Sequence, residues 1–559
     1  MNENPICESA AAETPMASPP VEESAPSSWL HGWFGLGIQC LFPILLFGAW
    51  LLALPFGLVD DAFIPMVYAR NLVQGHGLVF YPGGERVEGF TSPAWTTLLA
   101  LFQSLGFPLP SMAYASGIVC GLGVLFFTVL LYRWIFEPQE NAPVFNAWFW
   151  PMAAAMAVVS DAAFPAWSAS GMETALYTLL LLMLIASLYK GWNIRISALM
   201  LLALSLIRPE GPAFLLPAVI IHLSRRNSFR SIIRSYSLYF LLPLAALFIF
   251  RLAYFGYAFP NSFYAKHDYG GLAIIDRGIN YIITYFQPRP IFGFVLLCFA
   301  WKGRDNRRSC NIVLMFVLTH IFLVIAEGGD HFALHRFMVP ALPLLSILFI
   351  RGVQLCFERL FMNKMKPSRL RLAQSAAVIF VMILLISNLI RIFEYRADDE
   401  YHFSKRARWM LDEAAWAKNW SQMGKWLKEK YPPGTVIAVM TAGAIPYYSE
   451  LNCIDMAGIN DVTIAHTPAS DLSRHFAGHE KSNVNYVLSR QPRFIQLFPL
   501  LFFNAYPYPE NRLERLLYYP AQQDLWHHPL FHETYGYNTE ETTYGYISYF
   551  ERLQDADGR

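Results

Sequence analysis

Apolar runs separated by short polar connectors fill the chain from Leu36 to residue 392 and then cease. The first, Leu36 to Val59, is interrupted in polarity only by Gln39, and about 20 such residues cross the roughly 30 Å of bilayer hydrocarbon. Similar runs at 112–134, 146–160, 173–189, 196–207, 211–223, 235–254, 281–300, 311–326, 337–350 and 374–392 predict about eleven transmembrane helices. The apolar stretch 93–107 is shorter and begins at Pro93, so it is expected to lie in the membrane interface rather than to cross. Residues 1–28, rich in Pro, Ser, Ala and Glu and lacking Lys and Arg, predict a disordered tail.

After residue 392 the pattern changes period. A helical pattern covers Glu413 to Lys430, and strands are expected at Thr435–Met440, Leu451–Asp455 and Arg493–Phe498, with a Gly-containing turn into Ile445–Tyr448 and a helix near 483–490. The expected architecture is an all-α polytopic membrane domain over 29–392 and a soluble α/β domain over 393–559, of a size that folds by itself.

Composition sharpens this. Charged residues make up 15% of the chain, against about 25% in soluble proteins, which excludes an ordinary cytosolic enzyme. A formal net charge of +1 leaves no basic field to hold nucleic acid. The charge distribution also orients the chain. Connectors 224–234, 302–308 and 351–371 carry fourteen Lys and Arg, and the alternate connectors 161–172, 255–280 and 327–337 carry three. Because cytoplasmic loops collect cations, the N-terminus is expected inside and residues 393–559 outside a bacterial plasma membrane. Of seven scattered cysteines only Cys453 follows the last run, so the tail has no internal disulfide and no metal-ligand spacing.

Charge near hydrocarbon is costly unless paired or wetted, so the ionisable groups at the outer ends of the runs are the candidate site. They are Asp60 and Asp61; Arg70, Glu85, Arg86 and Glu88; Glu173; Arg208 and Glu210; and Asp330, His331, His335 and Arg336. The segments flanking Arg208-Pro209-Glu210 are too short to cross alone, which points to a vestibule between helix ends. The alternative for Arg208 is an ion pair that only locks two helices together. One of Asp60 and Asp61 is expected to cap a helix running Ala62 to Gln74 while the other faces a cavity. His331 and His335 are spaced as a possible metal pair, but H-F-A-L-H lacks the Glu of H-E-x-x-H, and no metal is expected.

The string Asp60-Asp61-Ala62-Phe63-Ile64, with Tyr68-Ala69-Arg70-Asn71-Leu72, Gly75-His76-Gly77-Leu78-Val79-Phe80, Glu85-Arg86-Val87-Glu88-Gly89-Phe90-Thr91 and Trp95, resembles the first outer loop of bacterial GT-C glycosyltransferases. Terminal arabinofuranosyltransferases and related envelope-sugar transferases belong to that group. Shorter matches are Ser170-Gly171-Met172-Glu173-Thr174, Arg208-Pro209-Glu210-Gly211, Gly328-Gly329-Asp330 with Arg336-Phe337, Ala442-Gly443-Ala444-Ile445-Pro446-Tyr447-Tyr448 and Ile454-Asp455-Met456-Ala457-Gly458. The resemblance implies a GT-C-like membrane domain with an outward catalytic vestibule and a polyprenyl-phosphate-linked sugar donor. It also implies that Asp60 matches the acid at the end of the first span.

On that basis Asp60 is expected as the base that deprotonates an acceptor hydroxyl, with Asp61 capping or assisting. Arg86, Arg208 and Arg336 are expected to bind the donor phosphate. Arg70, Glu88, Glu173, Glu210, Asp330, His331 and His335 are candidates for substrate contact or for orienting those arginines. The expected partners are the lipid-linked donor, a glycan or glycolipid acceptor and membrane lipids, with no cofactor. A lipid-linked sugar transporter or flippase is the alternative, since broken helices also mark transport sites.

Overall fold

The computed structural model describes residues 33–136, 144–266, 271–287, 307–357, 404–468, 479–497 and 506–553, and four isolated positions between 375 and 383. Most of the predicted run 374–392, much of 281–300 and the tail 1–28 lie outside the described residues.

Helix α1 (Trp33–Ala53) stops six residues before the predicted end of the first run, at Val59, because Pro55 supplies no amide and disfavours helical geometry at Leu54. A 3-10 turn (Asp60–Ala62) then leads into α2 (Phe63–Val73). Helix α3 (Pro93–Ser104) carries Pro at its first turn and leaves Leu101 exposed. The membrane part continues through α4 (Leu109–Ile135), α5 (Val144–Val159), α6 (Ala163–Ser168), α7 (Thr174–Lys190), α8 (Ile194–Ile207) and α9 (Leu215–Ser224). It ends with α10 (Phe229–Tyr254), α11 (Asn261–Lys266), α12 (Gly271–Phe286), α13 (Arg307–Ala326) and α14 (Leu342–Phe357). Among the described residues, α1, α4, α10 and α13 are long and apolar enough to cross a bilayer, and shorter apolar helices stand at five further predicted runs.

The outer domain starts with α15 (Ser404–Lys430), followed by β1 (Val436–Val439), α16 (Ala444–Ser449), β2 (Asn452–Asp455), α17 (Val462–Ala465), α18 (Val484–Ser489) and β3 (Phe494–Gln496). Helices α19 (Pro520–Trp526) and α20 (Pro529–Thr534) precede the hairpin β4 (Tyr535–Thr542) and β5 (Gly545–Arg552), which the sequence pattern did not reveal. The sheet has the order β2-β1-β3-β5-β4; β1 runs parallel to β2 and β3, and β5 is antiparallel to β3 and β4.

Alternation along the strands divides the core. Ala438, Met440, Ile454, Ile495 and Phe550 face a core confined to the outer domain. Ile437, Val439, Cys453, Phe494 and Ile547 face the other way and join one continuous apolar core through α15 to the membrane helices. The outer domain is therefore fused to the membrane part through a shared interior, although its length alone would let it fold independently.

Candidate active site

The turn after α1 is tied to the loop before α7 by the Val59 amide, which donates to the Ser170 carbonyl at 3.1 Å. Gly171 makes this approach possible: it adopts φ +77°, and a Cβ there would meet Leu58 and Ala62. Asp60 then turns towards the outer domain. Its carboxylate accepts from the Gly443 amide at 3.0 Å and the Ala444 amide at 2.7 Å. Neither Asp60 nor Asp61 caps α2, contrary to expectation; Asp60 satisfies the start of α16, in a different domain. The fit is close, since a Cβ on Gly443 would lie 1.9 Å from the Asp60 carbonyl oxygen.

Asp61 points elsewhere. It makes no hydrogen bond or ion pair with the described residues, and it lines a cavity of about 500 Å³ between the two domains, as Asp60 also does from its bonded position. Lys266 at the end of α11 and His331 line the same space, and the outer domain supplies Glu413, Trp416, Asp455 and Tyr519 among others. Burial raises the Asp61 carboxyl above the usual aspartate range, opposed by the positive Arg336 and Lys266. Burial likewise raises Asp60 to about 7, against the pull of its two amides. The Asp455 carboxyl, which accepts from the amides of Ala457 (3.0 Å) and Asn460 (2.8 Å), is raised by burial to about 6. His331 is pushed down to about 3 by burial and is neutral. Burial acts upward on Asp330 too, but Arg336, with its Nε 2.6 Å from the carboxylate, holds it below its usual range.

Other predicted site residues form three groups. Arg70 and Glu85 belong to the junction between domains, and Glu88 pairs beside it within the membrane part. Arg70 donates to the Tyr447 carbonyl and lies over its ring, Glu85 accepts from the Val462 amide at 2.8 Å, and Glu88 forms a buried bidentate pair with Arg251. Around them Tyr68 donates to Asn460 at 3.1 Å, and Asn261 donates to the Gly458 carbonyl at 2.8 Å. Arg86 is exposed and stacks over Tyr254, away from the cavity.

The second group is the Arg208 web. Its Nη2 is 2.6 Å from Glu210 and its Nη1 3.4 Å from Glu173. Glu327, absent from the sequence reading, has its carboxyl pushed well above the usual glutamate range by burial and by the adjacent Glu210 carboxylate. Arg208, Glu210 and Glu327, together with Arg336, border a separate space of about 10 Å³. Arg208 thus does not line the large cavity, which favours its packing role.

The third group is the 330–336 segment. The helical spacing read for His331, His335 and Arg336 is broken, because Leu334 and His335 adopt left-handed φ of 60° and 53°. His331 lines the cavity, whereas His335 accepts or donates at Thr284 Oγ1 (3.1 Å) among Tyr281 and Tyr285. Lys266 and Asp455 went unassigned in the sequence; one was a rare cation on an outer connector, and the other stood inside a matched string.

A helical membrane domain capped by a mixed α/β domain, with a cavity between them, is the GT-C fold. The chain superposes on the crystal structure of ArnT from Cupriavidus metallidurans bound to undecaprenyl phosphate with a TM-score of 0.50 and 11% identity, over 93% of this chain and 98% of that one. The apo crystal structure of the same ArnT gives 0.48 and 12%, over 92% and 98%. A family described as "Domain of unknown function (DUF8728)" matches residues 405–538, in the outer domain. No curated protein matches the chain by sequence.

Proposed function

We propose that the chain transfers a monosaccharide, hexosyl or pentosyl, from a polyprenyl-phosphate donor to a cell-envelope glycan or glycolipid at the outer face of a bacterial plasma membrane. The observation that carries this reading is Asp61: a carboxylate bonded to no side chain or amide among the described residues, with a raised pKa, on the wall of a cavity that also holds Lys266. A base of that kind takes the proton of an acceptor hydroxyl as its oxygen bonds to the sugar's anomeric carbon. The bond from that carbon to the phosphate oxygen breaks, and polyprenyl phosphate leaves. Lys266 supplies positive charge for the departing phosphate, the role the sequence suggested for arginines. Asp60, engaged by two amides, positions Asp61 rather than acting as the base. With Asp60 so engaged, a single in-line displacement that inverts the anomeric centre is the better supported course.

The fold shared with a protein crystallised with undecaprenyl phosphate supports the choice of donor. Incubating the purified protein with a panel of polyprenyl-phosphate sugars and measuring release of polyprenyl phosphate tests the proposal. Release that requires acceptor and is lost in Asp61→Asn is expected. Donor that crosses a vesicle membrane chemically intact would establish the flippase reading instead.

A further inference from the structure

The cavity is lined by two kinds of chemistry. Its membrane-domain side carries Asp60, Asp61, Lys266 and His331, and its outer-domain side combines the aromatic Trp416, Trp420, Tyr518 and Tyr519 with the charged Glu413, Asp455 and Arg515. Glu413, Trp416 and Trp420 stand at i, i+3 and i+7 on α15, so a single stripe of that helix faces the cavity. The two indoles are 6.3 Å apart and inclined at 46°, which makes an angled shelf rather than a closed stack. Gln522 fixes the tyrosines: its Oε1 accepts from the Tyr518 and Tyr519 amides at 2.9 and 2.8 Å, and its Nε2 donates to the Leu497 carbonyl at 2.6 Å. Tyr519 is in turn stacked on His479 at 4.7 Å.

We propose that this aromatic wall is the acceptor subsite and that it holds a carbohydrate ring, with Trp416 as platform and Glu413 accepting from ring hydroxyls. The inference rests on the glycosyltransferase reading above and deepens it by dividing the cavity: donor phosphate on the membrane-domain side, acceptor sugar on the outer-domain side. A sugar presents an apolar C–H face that packs on an aromatic plane and a rim of hydroxyls that needs acceptors, and the stripe offers both at helical spacing. About 500 Å³ lies within the range of small-molecule sites.

The test uses the full chain in detergent micelles, with methyl glycosides of envelope hexoses and pentoses as one set of probes and undecaprenyl phosphate as the other. Saturation-transfer NMR and titration are expected to show glycoside binding that weakens by about tenfold in Trp416→Ala, an effect of one good aromatic contact. Trp416→Phe is expected to retain most of it, Glu413→Gln to weaken it, and all three variants to bind undecaprenyl phosphate as the parent does. The proposal is overturned if no glycoside binds, if Trp416→Ala binds glycosides unchanged, or if these variants lose undecaprenyl phosphate instead, which would give the wall to the lipid. Glycoside binding without any sugar transfer by the parent protein would sink the reaction while leaving the subsite standing, so the two failures are distinct.

Discussion

Asp60 and Asp61 occupy one 3-10 turn, in which successive side chains diverge by about 120°. That divergence lets one carboxylate serve the domain junction while its neighbour reaches the cavity. Asp61→Asn is expected to lower sugar transfer by about 10²–10⁴-fold with little change in melting temperature, the size of a lost general base. Because burial raises its pKa, transfer should fall with acid at a pH above the ordinary aspartate value of 3.8; a rate profile with its acid limb at or below that value would remove Asp61 as base. Asp60→Asn removes one of two acceptors for buried amides and should cost about 1–3 kcal/mol of stability, measured by thermal unfolding. The sign of its pH dependence follows from a folded pKa of about 7 against an ordinary 3.8. The folded state binds the extra proton, so Asp60 contributes most at acid pH and its contribution declines as pH rises from about 4 through 7. The gap between parent and Asp60→Asn should narrow over that interval. Asp60 and Asp61 were both legible in the sequence as candidates, but their division of labour was not, since it depends on Gly443 and Ala444.

At the level of elements, the strings that drew the resemblance turn out to be complementary surfaces. Residues 68–89 of the first loop meet residues 442–462 of the outer domain through Tyr68, Arg70, Glu85 and Gly89. Close backbone approach demands glycine at two of these points: a Cβ at Gly443 would meet the Asp60 carbonyl oxygen, and one at Gly89 the Asn460 side chain, each at 1.9 Å. Gly443→Ala should therefore cost about 1–3 kcal/mol through overpacking and increase proteolytic cutting between the domains. Unchanged melting and cutting would mean that the junction yields easily. The α8–α9 connection behaves differently. Arg208→Ala would leave buried Glu210 and Glu173 without their cation, and a loss of about 3–5 kcal/mol is expected, with donor affinity altered only through folding. A folded Arg208→Ala protein with selectively weakened undecaprenyl phosphate binding would restore the phosphate role. The hairpin β4–β5 escaped the sequence reading because its alternation follows a stretch of mixed tyrosines, histidines and prolines with no clear period.

For the molecule as a whole, the shared core joining α15 and one sheet face to the membrane helices holds the cavity's two sides in register. On the charge distribution of the connectors, the C-terminal domain is expected on the non-cytoplasmic side. Tyr544, at the hairpin turn and 44% exposed, reports on this: in Tyr544→Cys, an impermeant maleimide should label intact spheroplasts, and labelling only after permeabilisation would reverse the topology. Hydropathy runs, connector charges and strand alternation by themselves determined that this is a polytopic membrane protein with an α/β domain on one side, and they marked the outer helix ends as the place for chemistry. Those are properties of neighbouring residues, repeated with the local periods of helix, strand and bilayer. The tertiary structure alone decided which acid is tied to Gly443 and Ala444, that Arg70 and Glu85 fasten the domains, and that Lys266 and Trp416 line one cavity with Asp61. Such pairings join groups as far apart as the 384 positions between Asp60 and Ala444, and no local pattern encodes a contact that exists only once the chain has closed on itself.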